Sequence, residues 1–331
     1  MFCSSDATHP GVLRVDRTFN LGPCYVTILC YQQNNLIRKG TQNHPIMLGP
    51  VFLHWDGLYP TYHGFFSHLR SQMDDSINGI QVGGRNLLVG SDEEKALTKA
   101  MKQSFPSSHH ILCRRHIEEN VKRHLRGMVG ANDRQTKEVM NDIFGDNGLL
   151  AVDDEYEFAM VSFELEEKYC TSMPKFLPYF KKLKATLLEY VFLPSKKNKS
   201  VPITWKNNSC ESMNHISKLT CDWKVQKIPD LVEKLYKIVQ LQYADVRRAL
   251  YGMGNYVVAP WMAKFKISQA NWAAKSIIEK ETWFLNFLKG APKAEKAVKS
   301  TDGRLTIPKT QKTARKPGQR KRVKCSRTKK C

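Results

Sequence analysis

The change of hydrophobic periodicity along the chain constrains its fold more than any other feature. Residues 12–19, 25–31 and 46–55 read as strands, joined by Gly22-Pro23 and by a polar turn region at 34–44. Sequential strands with short connections predict an antiparallel meander. A helix follows at 61–73, with Phe65, Phe66 and Leu69 facing inward. Next come a strand at 87–89, a helix at 93–104 stopped by Phe105-Pro106, a short strand at 110–113 and a helix at 117–125. Three antiparallel strands followed by strand–helix alternation predict an α/β fold with a mixed sheet flanked by helices. From about Gly130 the pattern is helical only, over 134–144, 154–169 and 174–192. In the last of these Phe176, Phe180, Leu183, Leu187 and Val191 keep helical spacing. A lysine-rich loop is expected at 195–200, then a helix from Glu211 to Leu219 and two long helices at 229–251 and 268–288. Beyond Gly290 the apolar periodicity disappears, which predicts a disordered tail.

A chain of 331 residues can bury one large core or two smaller ones. Its 52 Lys and Arg against 31 Asp and Glu give a formal charge of +21. From Gly290 onward 15 basic residues face two acidic ones, so that stretch carries +13 of the total. A moderately basic globule with a very basic tail suits a polyanion, nucleic acid ahead of a membrane surface, with acidic proteins as the alternative. The nine cysteines form no CxxC pair, which points to reduced thiols in the cytosol or nucleus. Residues 1–10 are polar and no apolar run reaches membrane-spanning length, so neither a signal peptide nor a membrane partner is expected. The strand pattern begins by Val12, which suggests an upstream domain lost from, or lying outside, this stretch.

Three carboxylates fall where a strand ends or a helix begins: Asp16, Asp92 and Glu211. Converging acids in a basic protein would suit magnesium, whose ligands are oxygens. Each also has a commoner explanation. Asp16 suits the solvent face of a strand. Ser91-Asp92-Glu93-Glu94 and Asn208-Ser209-Cys210-Glu211 both have the form of a capping box, and for any one acid that reading is favoured roughly three to one. Cys113 and His116 could share a zinc ion, but a structural zinc needs four ligands and only His109 and His110 lie near in sequence. A buried Cys and a His that orients a carboxylate or touches phosphate is the better expectation. Trp205 could stack on an unpaired base, although a core position is favoured. Arg315 to Lys324 resembles a nuclear import signal or a nucleic-acid-binding arm.

The order of four segments resembles the catalytic domain of Mutator-like element (MULE) transposases. Val15-Asp16-Arg17-Thr18-Phe19 with Pro23 is similar to the family's Asp-Gly-Thr-Phe strand. Gly90-Ser91-Asp92-Glu93-Glu94-Lys95-Ala96-Leu97 resembles its Thr-Asp-Gly-Glu-x-Ala-Leu pattern. Phe105-Pro106 through Cys113-Arg114-Arg115-His116 to Asn120 is similar to its Phe-Pro…Cys-x-x-His segment. Asn207-Asn208-Ser209-Cys210-Glu211-Ser212-Met213-Asn214 resembles its Asn-Asn-x-x-Glu-Ser-x-Asn segment.

The resemblance covers about residues 12–220 and implies an RNase H-like fold with an all-helical insertion before the last acid. The organisation it implies is a first part of the core at 1–130, the insertion at 131–205, the end of the core with C-terminal helices at 206–289, and a basic tail at 290–331. Asp16, Asp92 and Glu211 would then hold two Mg²⁺ (or Mn²⁺) ions. Water would cut DNA at the element end, and the freed 3′-hydroxyl would attack target DNA. Cys113 and His116 match the Cys-x-x-His signature as second-shell or zinc residues. DNA as the partner follows from the same resemblance, with a homo-oligomer on DNA as one option, and the basic tail points to the nucleus. Arg17 replaces the family's glycine and would pair with Asp16, and no DNA-recognition zinc module is visible. Those departures favour a truncated or domesticated copy, or a non-catalytic nuclear DNA-binding or regulatory descendant. A nuclease without strand transfer is the third class.

Overall fold

Side-chain alternation along the first strand decides what each face of the sheet carries. In the computed structural model, which describes residues 12–76, 87–197, 201–290, 298–299 and 305–306, that strand is β1 (Val12–Thr18). It is followed by β2 (Tyr25–Gln32), β3 (Leu36–Arg38), β4 (Ile46–His54), α1 (Tyr59–Ser76), β5 (Leu88–Ser91), α2 (Lys95–Ser104) and β6 (His109–Leu112). All these strands except β3 form one mixed sheet in the order β4-β2-β1-β5-β6. β4, β2 and β1 pair antiparallel, as the meander predicts, whereas β1, β5 and β6 run parallel.

Successive strand residues point to opposite faces. Leu13, Val15, Leu29 and Val89 therefore meet Tyr62, Phe66 and Leu69 of α1 and Leu97 and Met101 of α2. Phe66 and Leu69 are buried and Phe65 packs against them, as the helical spacing requires. On the other face Val26, Ile28 and Cys30 are covered by α8 (Asn208–Thr220) and α9 (Ile228–Leu250), through Cys210, Met213, Leu231, Leu235 and Ile238.

Between β6 and α8 every element is helical: α3 (Arg114–His124), α4 (Asp133–Phe144), α5 (Glu155–Ser172), α6 (Leu177–Leu187) and α7 (Leu193–Lys197). They share one core, in which Ile117 and Val121 meet Ile143, Phe158, Tyr169, Phe176, Phe180 and Phe192. After α9, β7 (Tyr256–Val258) pairs with β3, and α10 (Gln269–Ala274) and α11 (Ile277–Lys289) follow.

Three local expectations are corrected. The helix expected over 268–288 is two helices, because Ser276 and Glu279 form a capping box that starts α11 afresh. Residues 195–197 extend α7 rather than forming a loop, while 198–200 lie outside the described residues. β3 and β7 pair where only a turn region and an unassigned stretch were expected, since three-residue strands leave no periodic signal. The chain divides into two compact units, Met1–Pro292 and Lys293–Cys331. In the second, Val298–Lys299 and Leu305–Thr306 pair antiparallel. Otherwise the expected disordered tail, with its basic stretch 315–324, lies outside the described residues.

Candidate catalytic centre

Parallel pairing of β1 with β5 brings the first two acids to one place. Val12 pairs with Leu88, Leu13 with Val89 and Arg14 with Gly90. Two residues further along, the same register sets Asp16 opposite Asp92 at the carboxyl ends of adjacent strands, whose backbones run about 4.8 Å apart. Both lie on the sheet face covered by α8, since Asp16 pairs across β2 with Ile28, a member of that core. Glu211 stands in the first turn of α8, three residues before Asn214, whose Nδ2 donates to Asp16 Oδ2 at 2.6 Å. Residues three apart share a helix face, so α8 presents Glu211 and Asn214 together.

The charges register this convergence. Burial, then the negative charge of Asp92 and more weakly that of Glu211, push the Asp16 carboxyl up to about 7. A hydrogen bond from the Arg17 backbone amide and the nearby His116 offset part of that rise. Crowded oxygen donors suit a hard divalent cation, which would relieve the repulsion. Asp16 and Asp92 lie side by side with Glu211 on the helix above them, and among the described residues the group whose donor atoms all fall within 4.8 Å of one another is Asp92, Cys113 and His116 rather than the three acids.

Each carboxylate also has its own partner. His116 Nδ1 lies 2.7 Å from Asp92 Oδ1. The Asp92 contact first and the Cys113 contact second raise this imidazole to about 10, against the lowering effect of burial. Arg115 grips Glu211 with both guanidinium nitrogens, Nη1 donating to Oε2 at 3.0 Å and Nη2 to Oε1. Asp92, Cys113 and His116 place one donor atom each within 4.8 Å of one another. That is one ligand short of a structural zinc, so orientation of Asp92 is the better-supported role for His116. His110 does not join them. Its Nε2 meets Ser108 Oγ at 3.1 Å, and burial lowers it to about 4.

Local structure explains how these groups are held. Cys113 is buried at the N-cap of α3, where its Sγ accepts the Asn207 amide at 3.3 Å. Asn207 Nδ2 in turn donates to Val15 O at 3.1 Å, tying the start of α8 to β1 beside Asp16. Trp205 is a core residue, lying against Gly90 on β5, where any Cβ would collide with its ring. Its carbonyl accepts the Arg114 amide at 3.1 Å.

Neither capping box forms at the acids. α2 begins only at Lys95, with Glu94 in extended conformation at its N-cap, and Asn207 caps α8 without a side-chain hydrogen bond. Glu94 instead accepts from Tyr62 Oη at 2.9 Å and pairs with Arg17 Nη1 at 3.1 Å. The expected Arg17–Asp16 pair is therefore absent. Adjacent strand residues project to opposite faces, so Arg17 reaches α1 and Glu94 and lies over the rings of Phe19 and Tyr25. The arginine that meets an acid at this centre is Arg115, a contact with no signal in the sequence. Asn214, three residues beyond Glu211, was readable from helical spacing.

No curated protein matches the chain. The description "Transposase, Mutator family" matches residues 69–245, more than half of its length. The matched stretch holds Asp92, Cys113, His116 and Glu211, whereas Asp16 precedes it and owes its place here to the β1–β5 register. With residues 69–245 matched and a mixed sheet flanked by helices, the chain belongs to the Mutator family of transposases.

Proposed function

We propose that the chain is the catalytic core of a DNA transposase, RNase H-like in fold with a helical insertion at 131–205, and that Asp16, Asp92 and Glu211 hold two Mg²⁺ or Mn²⁺ ions. The observation that carries this reading is the β1–β5 register that sets Asp16 opposite Asp92, beneath the helix whose Asn214 donates to Asp16 and whose first turn carries Glu211. Strand order β4-β2-β1-β5-β6, antiparallel then parallel, supports the RNase H-like comparison. Bound divalent cations supply the Lewis acidity for attack on a phosphodiester and keep the attacking and leaving oxygens in line. The protein's own residues prepare the site. Asn214 fixes one oxygen of Asp16 and leaves the other for a ligand. His116 holds Asp92, and Cys113 anchors the turn that carries His116. Arg115 holds Glu211 through both guanidinium nitrogens, and its planar fork has the chemistry to bind a phosphate. DNA is the substrate, first cut at an element end and then joined through the freed 3′-hydroxyl. The basic 315–324 stretch fits nuclear import, and assembly as a homo-oligomer on DNA fits the pairing of two element ends.

The expected outcome for Asp92→Asn is loss of Mg²⁺-dependent plasmid nicking with DNA affinity unchanged or higher. Persistent nicking would place the chemistry elsewhere. One observation favours the second reading, a non-catalytic DNA-binding descendant: a guanidinium already occupies Glu211. Arg115→Ala separates the two. Retained or increased metal affinity supports the enzyme, and no metal binding by either protein supports the descendant.

A further inference from the structure

We infer that Trp223 is a stacking platform for an unpaired DNA base beside the catalytic centre, an inference that rests on the proposed function and deepens it. Two consecutive non-glycine residues, Asp222 and Trp223, adopt left-handed backbone conformations with φ of 53° and 58°. Each such residue costs on the order of 1–3 kcal/mol and persists only where surrounding contacts fix it. Here the Trp223 amide donates to Lys218 O and the Asp222 amide to Leu219 O, both at 2.9 Å. Lys234 Nζ lies 3.5 Å from Asp222 Oδ2.

The strained turn does not bury the indole. Trp223 remains 60% exposed, braced edge-on by His215 with ring centroids 5.4 Å apart and planes at 73°. His215 lies four residues after Glu211 and thus on the same helix face, about 6 Å further along the axis. An exposed aromatic surface is thereby held one turn and one ring contact from the acids. Lys218 in the last turn of α8, Lys224 in the connection and Lys227 at the N-cap of α9 flank it in sequence, with Lys224 and Lys227 exposed. A rigid π-face with a basic surround is the chemistry that takes a nucleobase and its phosphates, since every base offers a π-face and stacking contributes about 1–3 kcal/mol.

The test uses the full chain carrying Asp92→Asn, with Ca²⁺ as the ion, and a nicked duplex with 2-aminopurine unpaired at the nick. The wild-type indole should quench 2-aminopurine and favour the unpaired nick over intact duplex. Trp223→Ala should lose the quenching and weaken binding to the unpaired substrate about 5- to 150-fold, the stacking energy expressed as affinity. Trp223→Phe should restore most of it. Because Trp223 is exposed, its melting temperature should stay unchanged, which separates a lost contact from a lost fold. Equal affinity and equal quenching in Trp223→Ala would overturn the inference. So would unchanged affinity accompanied by conversion of a dimer to a monomer in light scattering, which would make the face a contact between copies of this chain. The readout is binding, so persistent nicking by Asp92→Asn, which would refute the proposed active site, leaves this result interpretable on its own.

Discussion

Arg17 and Arg115 show how one residue of register decides which cation reaches an acid. Arg17 follows Asp16 directly, yet strand alternation turns it to Glu94, Tyr62 and two aromatic rings. Arg17→Ala should lower stability by about 1 kcal/mol, the scale of a part-buried ion pair with cation–π contacts, without increasing metal-dependent nicking. Thermal melting and a nicking assay check both parts, and a gain of activity would mean that Arg17 restrains the centre after all. Asp16 itself predicts a pH dependence. Its carboxyl, ordinarily near 3.8, sits at about 7 in the folded protein, so folding favours the protonated form. The stability this contributes is present below about pH 4 and is lost as pH rises through about 7. A divalent cation needs the deprotonated carboxylate, so Mg²⁺ or Mn²⁺ should raise the melting temperature more at pH 8 than at pH 6. Asp16→Asn should flatten that difference. An equal cation effect at both pH values in the unmodified protein would remove Asp16 from the ligand set.

At the scale of elements, the close approach of Trp205 to β5 ties the segment before α8 to the strand that ends at Asp92. A methyl group at Gly90 would meet the indole and also crowd Ile111. Gly90→Ala should therefore cost about 1–3 kcal/mol, the range for overpacking a full core. In a Trp205→Phe background the added cost should shrink, since residues in contact are not additive. Denaturant unfolding of the four proteins measures it, and strict additivity would mean that the ring does not govern the site. The strands of the meander and the long helix α9 were legible because their periodicity spans several residues, and so was the α8 face carrying Glu211 and Asn214. β3 and β7 were not, being three residues each and more than 200 residues apart in the chain. The capping patterns at Ser91 and Asn208 were legible but misleading. Glu94 and Glu211 find guanidinium partners from distant elements, and charge-assisted hydrogen bonds to Arg are stronger than neutral ones.

For the whole molecule, charge is the property most fully written in composition. The stretch from Gly290 carries +13 of the +21, so its removal should make DNA affinity fall less steeply with salt. Affinity measured between about 50 and 200 mM salt checks this. An unchanged slope would confine DNA contact to the remaining chain. The convergence of the acids, by contrast, was not legible from their spacing. Asp16 and Glu211 are 195 positions apart, and only the β1–β5 register with α8 laid across it joins them. That convergence is the central claim, and iron-directed cleavage tests it most directly. Fe²⁺ replacing Mg²⁺, with ascorbate and peroxide, generates radicals that cut the backbone next to the bound ion. The account predicts cuts clustered near residues 16, 92 and 211, suppressed by excess Mg²⁺ and lost in Asp16→Asn. Cuts confined to one of those segments, or located elsewhere in the chain, would contradict a shared cation site.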